Sequence, residues 1–181
     1  MAMFNSPYGT LAFPHLFKPR PRAEGGEAVF STTVIFSPAQ QKTPAFKAMQ
    51  DGCIAAAREK FGDKVALNSV KMPFRDAAEK EGKYEGFEEG FIFINPWTKS
   101  KPGIVNAQRQ EVILPEEVWA GQLVRVNITP YGWINSGKKG VSFALNHVQI
   151  VKTDTPRIDG RGTASSVFDD GEVDETAADM F

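Results

Sequence analysis

The strongest strand–turn–strand pattern in this chain lies at residues 121–152, GQLVRVNITPYGWINSGKKGVSFALNHVQIVK. In its first half, Val124, Val126 and Ile128 alternate with other residue types, which predicts a strand with one buried face. The opposite face presents a cation, two hydrogen-bonding side chains and two large rings: Arg125, Asn127, Thr129, Tyr131 and Trp133. A strand face that is only exposed to solvent does not require two aromatic rings, whereas a face that stacks nucleic-acid bases does.

The turn and the return strand add two further signals. Residues 135–140 combine two glycines with Lys138 and Lys139, which predicts a hairpin turn with two cations projecting into solvent. The apolar residues of the return strand change phase near Asn146 and His147: Val141, Phe143 and Leu145 are followed by Val148 and Ile150. A phase change of this kind predicts a β-bulge, which closed barrels use to bend their strands.

The remaining pattern predicts several more strands and one helix. Strands are expected at residues 10–18, with an edge or kink at Pro14, and at 28–37 and 86–95, with short ones at 103–105 and 112–114. A helix is expected to begin after Thr43 as N-cap, with Pro44 in its first position, and to end at Gly62. This order predicts a mainly β chain with an OB-fold, a five-stranded Greek-key barrel with one packed helix.

Composition and charge divide the chain into a body and a tail. At 181 residues and 41% apolar content, residues 1–152 are expected to form one nucleic-acid-binding domain, and residues 153–181 a disordered acidic tail. Six acids and no basic residue lie in 169–181: Asp169, Asp170, Glu172, Asp174, Glu175 and Asp179. The rest of the chain carries 21 basic and 16 acidic residues, a net charge of +5, so it can attract a polyanion for which the tail can compete.

Cations and rings recur in three segments besides the hairpin, around residues 18–22, 71–75 and 97–101. The predicted phosphate contacts are Lys18, Arg20, Arg22, Lys71, Arg75, Lys99, Lys101, Arg125, Lys138 and Lys139. The predicted stacking residues are Phe17, Phe74, Tyr84, Trp97, Tyr131 and Trp133. Phe17 and Phe74 fit a core position equally well.

Residues that support catalysis or metal binding are scarce. The chain has two histidines and one cysteine, and none of the common metal, nucleotide or nucleophile motifs occurs. His15 and His147 are expected to be structural, and Cys53 to be a buried apolar residue. The sequence therefore predicts a binding protein without catalytic activity, metal or cofactor. No apolar run approaches the roughly 18–20 residues of a membrane span, so no membrane partner is expected.

Four segments form a recognisable set: FPHLFKP at 13–19, KPGIVN at 101–106, GVSFALNHVQIVK at 140–152, and the acidic end DDGEVDETAADMF, which finishes in Phe181. Together they resemble the single-stranded-DNA-binding proteins of tailed bacteriophages, an OB-fold family. The resemblance implies DNA binding without sequence preference in phage replication and recombination, in the cytoplasm of the host cell. It also implies a tail that recruits replication proteins and occupies the DNA groove when DNA is absent.

Two alternatives stay open at this point. An OB barrel with exposed aromatics is also suited to bind another polypeptide without any nucleic acid, and a double-strand or RNA binder is a weaker third reading. Both the oligomeric state, including a homo-oligomer, and the identity of the tail's partners are open as well.

Overall fold

The computed structural model of the protein describes residues 2–80 and 82–160. Within these residues one α-helix, α1 (Pro44–Phe61), accompanies ten strands. The strands are β1 (Phe4–Asn5), β2 (Gly9–Pro21), β3 (Ala28–Phe36), β4 (Val70–Lys71), β5 (Arg75–Asp76), β6 (Ile92–Ile94), β7 (Trp97–Thr98), β8 (Gly103–Val105), β9 (Leu123–Asn135) and β10 (Lys138–Lys152). Short 3-10 helices occupy Gln40–Lys42, Leu67–Ser69, Ala77–Lys80 and Pro115–Glu117. No helix in the described part of the chain has the length and apolarity to cross a membrane.

Five of the strands form a closed circuit of backbone pairings. β2 pairs with β3 on one side and with β9 on the other, and β9 pairs with β10. β10 then pairs with β7 in parallel, and β7 pairs with β3, which returns the circuit to β2. Only the β7–β10 pairing in this circuit is parallel. The predicted five-stranded OB-type arrangement with one helix is therefore confirmed.

The β9–β10 hairpin has the predicted alternation. Val124, Val126 and Ile128 have no exposed surface and lie in the main core, because one face of β9 points inward. The register of β10 on β9 shifts between Leu145 and His147, which is the predicted bulge. The bulge keeps apolar residues inward on both sides of the shift, so the long strand can curve around the core.

The helix α1 has the predicted start and end. The Thr43 side-chain oxygen accepts a hydrogen bond from the Phe46 N–H at 3.3 Å, and the helix ends at Gly62, whose φ of 96° favours glycine. The helix buries one side against the barrel. Within that side Cys53 is 1% exposed, as predicted, and burial raises the pKa of its thiol to about 12.

One predicted strand is shorter than expected and another is absent from the described residues. In the segment 86–95 only Ile92–Ile94 is a strand, because Gly86 and Gly90 have φ values of 87° and 83° that fit turns and not an extended chain. Residues 112–114 are not a strand, and the nearby pairing is a single bridge between Val105 and Glu111.

The first long strand differs from its prediction in length. It continues to Pro21, and its register on β3 shifts between Ala12 and His15, so the predicted kink at Pro14 is confirmed. The cations of segment 18–22 thus begin on a strand, and at its end Arg20 pairs opposite Val29 of β3.

Packing continues past the predicted domain boundary at residue 152. The Thr155 hydroxyl donates to the Gly121 carbonyl at 2.5 Å, and the Ile158 N–H donates to the Ala120 carbonyl at 3.1 Å. Ile158 packs against a second apolar cluster that contains Phe87. The acidic residues 169–179 and Phe181 lie outside the described residues, so the predicted tail stays a proposal.

Candidate nucleic-acid interface

A cleft of about 480 Å³ opens between the β9–β10 hairpin, β7 and residues 71–75. Three half-buried rings line it, Trp97, Tyr131 and Trp133, together with three exposed cations: Arg22, Lys71 and Arg75. None of the described residues that line the cleft is acidic. A cavity with rings on its walls and cations at its rim can bind an anionic ligand that has flat, stackable groups.

Strand register brings the rings together. Tyr131 and Trp133 lie two residues apart on the presented face of β9, opposite Ser142 and Gly140 of β10. On the far side of β10, Ala144 pairs with Trp97 of β7. Three adjacent strands thus contribute to one wall of the cleft, although the third ring comes from a segment more than thirty residues earlier in the chain.

Two neighbours on β10 hold the Trp133 ring in place. The indole N–H of Trp133 donates to the Ser142 hydroxyl oxygen at 2.9 Å. The ring lies directly over Gly140, where a Cβ atom would overlap it. A glycine is therefore required by the close approach of the ring, and the hydrogen bond fixes the orientation of the indole.

The Tyr131 and Trp97 side chains form the inner part of the cleft. Burial raises the pKa of Tyr131, and the neighbouring Trp97 and Ser142 side chains and the positive charge of Arg22 oppose that shift. The hydroxyl therefore stays neutral at physiological pH and does not repel phosphate. The Arg22 guanidinium lies 5.1 Å from the centre of the Trp97 ring, a cation–π contact that places this charge at the mouth of the cleft.

A second cavity extends the cleft along the hairpin. Its volume is about 570 Å³, and it shares Lys71 and Trp133 with the first while adding Lys138 and Lys139. We call the two cavities together the aromatic groove. Five cations line it, and its described lining residues include no Asp or Glu. The groove can follow an extended polyanion over several charges.

Replacing Ser142 with alanine is expected to weaken binding of a single-stranded oligonucleotide by about 0.5–1.5 kcal/mol, because the Trp133 indole loses its only described acceptor. The salt dependence of binding should not change, since no charge is removed. Fluorescence titrations at several salt concentrations measure both quantities. Ser100→Ala, at an exposed serine outside the groove, is the matched control; equal affinities of the two variants would contradict the positioning role of Ser142.

Eight predicted contact residues lie in the aromatic groove: Arg22, Lys71, Arg75, Trp97, Tyr131, Trp133, Lys138 and Lys139. Phe17, Lys18 and Arg20 line a separate cavity of about 180 Å³, and Lys101 lies 5.1 Å from the centre of the Phe17 ring. His15 lines the same cavity, where burial and the nearby Arg20 lower its pKa.

The other four predicted residues have different surroundings. Lys99 forms an ion pair with Glu27 at 3.1 Å. Phe74 packs its ring against Phe46 and Phe143 of the core, so its position fits the core reading. Tyr84 and Arg125 line neither cavity of the groove. Tyr84 stacks edge-on against Phe13 with ring centres 5.0 Å apart, and the Arg125 side chain donates to Gln149 at 2.7 Å.

Two residues that hold the Trp133 ring in place were missed from sequence. Ser142 is on the presented face of β10 and opposite Tyr131, so the alternation of the return strand could have identified it. Gly140 was interpreted only as a turn residue, and no local sequence signal indicates that a ring from the neighbouring strand covers it.

The closed five-strand circuit and the cation-lined groove of rings define an OB-type domain of the class that binds single-stranded nucleic acid. Solved structures share the fold. The single-stranded-DNA-binding protein from bacteriophage Enc34 in complex with ssDNA is similar with a TM-score of 0.72 and 22% identity, over 85% of this chain and 88% of that one. Its C-terminal truncation gives a TM-score of 0.68 and 25% identity, over 85% and 87%.

A more distant likeness is to gp2.5, a single-stranded DNA-binding protein encoded by bacteriophage T7. Its TM-score is 0.56 at 18% identity, over 95% of this chain and 98% of that one. No curated protein matches the chain. The family described as "Enterobacter phage Enc34, ssDNA-binding protein" matches residues 9–179, and the chain belongs to this family. The resemblance to phage single-stranded-DNA-binding proteins is thereby confirmed.

Proposed function

We propose that this protein binds single-stranded DNA without sequence preference during phage DNA replication and recombination, in the cytoplasm of the host cell. The observation that carries the proposal is the aromatic groove, in which three rings and five cations line one continuous surface without an acidic residue among the described lining. Stacking on a ring is available to every base, so this chemistry tolerates any sequence. Membership of the Enc34 family supports the same function.

Each component of the groove has a separate role in the proposed binding. Trp97, Tyr131 and Trp133 stack on bases, each contributing about 1–3 kcal/mol where a base is seated. The cations contact phosphates and release counterions, which makes the affinity dependent on salt. The paired bases of a duplex cannot stack on the rings. Duplex DNA therefore gains only the phosphate contacts with the cations. The proposed role is binding alone, with no catalytic step.

A titration of the protein with oligothymidine and with a duplex of equal length tests the proposal. Between about 50 and 500 mM salt, single-stranded binding should quench tryptophan fluorescence, fall linearly with the logarithm of salt concentration, and exceed duplex binding throughout. Equal binding of both forms would contradict the stacking mechanism. An absence of binding at the lowest salt would favour the alternative, a domain that binds another polypeptide.

We also propose that the acidic residues 169–179 and Phe181 compete with DNA for the groove and recruit replication proteins. Support comes from their charge, opposite to that of the groove. Deleting residues 169–181 should then tighten DNA binding, most strongly at low salt where attraction between charges is least screened. Parallel salt titrations of the full and shortened chains measure this. An unchanged affinity at low salt would rule out competition by the tail.

A further inference from the structure

A second basic cavity lies at the other end of β9 from the aromatic groove. It has a volume of about 200 Å³ and is lined by two arginines, Arg109 and Arg125, among amide and imidazole side chains that include Asn127, His147 and Gln149. No acidic residue is among its described lining. Neither cavity of the aromatic groove includes any of these residues.

Gln149 links Arg125 to the loop that carries Arg109. Its side-chain oxygen accepts a hydrogen bond from Arg125 Nε at 2.7 Å, and its side-chain nitrogen donates to the Asn106 carbonyl at 3.2 Å. Asn106 in turn accepts from the N–H groups of Gln108 and Gln110 at 3.0 and 2.9 Å. These bonds shape the loop that carries Arg109 and fix the Arg125 guanidinium before any ligand binds.

Both guanidinium groups keep donors for a ligand. Arg125 uses its Nε for Gln149, and its two Nη groups make no hydrogen bond to a described residue. Arg109 is exposed, has a φ of 63° at the loop tip, and forms no ion pair or side-chain hydrogen bond within the described part of the chain. Arginine donors in a fixed fork match the paired oxygens of a phosphate.

The same face of β9 leads from this cavity to the aromatic groove. Arg125 and Tyr131 are six residues apart on that face, a separation of roughly 20 Å at about 3.3 Å per residue. Between them runs a chain of side-chain hydrogen bonds: Asn146 Nδ2 donates to Asn127 Oδ1 and to Thr129 Oγ1, each at 3.0 Å. The side chains at these positions are polar and none is acidic; Asn127 and Asn146 are half-buried, and Thr129 is buried.

We propose that Arg109 and Arg125 form a second phosphate-binding site, which a single DNA strand reaches along β9 after its first nucleotides occupy the aromatic groove. The inference rests on the proposed function and extends it, because it predicts that affinity depends on strand length in a defined way. A strand too short to span about 20 Å contacts the groove alone. A longer strand gains additional phosphate contacts at the arginines.

The test compares oligothymidines of about 4 and about 16 nucleotides, the two ends of the range for OB domains. Arg109→Ala should weaken binding of the long strand about fivefold at 0.1 M salt and reduce the salt slope by about 0.7, the value for one phosphate contact on a single strand. Binding of the short strand should not change, because a charge 20 Å away is beyond the roughly 10 Å Debye length. Arg109→Lys should keep the wild-type salt slope, because the charge is retained, and should recover part of the long-strand affinity, because lysine lacks the fork of donors.

Lys64→Ala, at an exposed loop lysine outside both sites, is the matched control and should leave both lengths unaffected. Loss of affinity for the long strand alone, with recovery in Arg109→Lys, supports the second site. An equal loss at both lengths, no loss at either, or a wild-type protein that binds both lengths equally would overturn it while leaving the proposed function intact. A wild-type protein that binds neither oligonucleotide would instead refute the proposed function.

Discussion

Replacing Lys71, Lys138 and Lys139 together with glutamine is expected to weaken binding of single-stranded DNA on the order of a hundredfold at 0.1 M salt. All three line the second cavity of the aromatic groove, and all are exposed. Each phosphate contact on a single strand contributes about 0.7 to the slope of log affinity against log salt, so three contacts contribute about 2. Salt titrations of the wild-type and triple variant measure the slope and the affinity together.

A matched variant separates groove contacts from net charge. Lys42, Lys47 and Lys64 are also exposed lysines, but none lines the groove, so their replacement by glutamine changes net charge equally. This control should keep nearly the wild-type slope. If the salt slope of DNA affinity fell equally in both triple variants, the attraction for DNA would depend on the net charge of the domain and not on the lysines of the groove.

Replacing Trp133 with alanine is expected to weaken single-stranded DNA binding by about 1–3 kcal/mol, or roughly 5- to 150-fold, because one stacking platform is removed. Trp133 lines both cavities of the groove and is held by Ser142 and Gly140. The salt slope should stay at its wild-type value, in contrast to the triple lysine variant. Fluorescence anisotropy with a labelled oligonucleotide measures the affinity and the salt slope without relying on tryptophan emission.

Tyr84→Ala is the control for Trp133→Ala, since Tyr84 is an exposed ring that lines neither cavity of the groove. We expect wild-type DNA affinity for it. A loss as large as that of Trp133→Ala would show that stacking extends to the cluster around Phe13, and that the groove alone does not account for binding.

The local periodicity of the chain predicted most of the barrel. The alternation of Val124, Val126 and Ile128 and the phase change near Asn146 are consequences of one buried face, so they can be read without knowing the neighbouring strands. The bounds of the helix were predictable as well, because they depend on local residues. Thr43 caps the first turn, and Gly62 adopts the positive φ that ends the helix. The strand predicted at 86–95 was too long, because the apolar content of the segment outweighed two glycines that adopt turn conformations.

The groove was harder to predict, since it depends on which strands pair. Arg125 and Tyr131 share a face of β9, yet they line different cavities because the face extends over roughly 20 Å. Phe74 lies in a basic–aromatic segment like the other candidates, and only its contacts with Phe46 and Phe143 place it in the core. Sequence identifies the residue types of a binding surface, while strand register decides which of them meet.

The three tryptophans of the chain provide the most direct test of the aromatic groove as the DNA site. Trp97 and Trp133 line the groove, whereas Trp119 lies outside it, with the Arg157 guanidinium 5.0 Å from its ring centre. Indole N–H resonances in a nitrogen-15 correlation spectrum can be followed as oligothymidine is added. We predict large shifts for Trp97 and Trp133 and little change for Trp119. Shifts confined to Trp119, or of equal size for all three, would show that DNA does not bind in the aromatic groove.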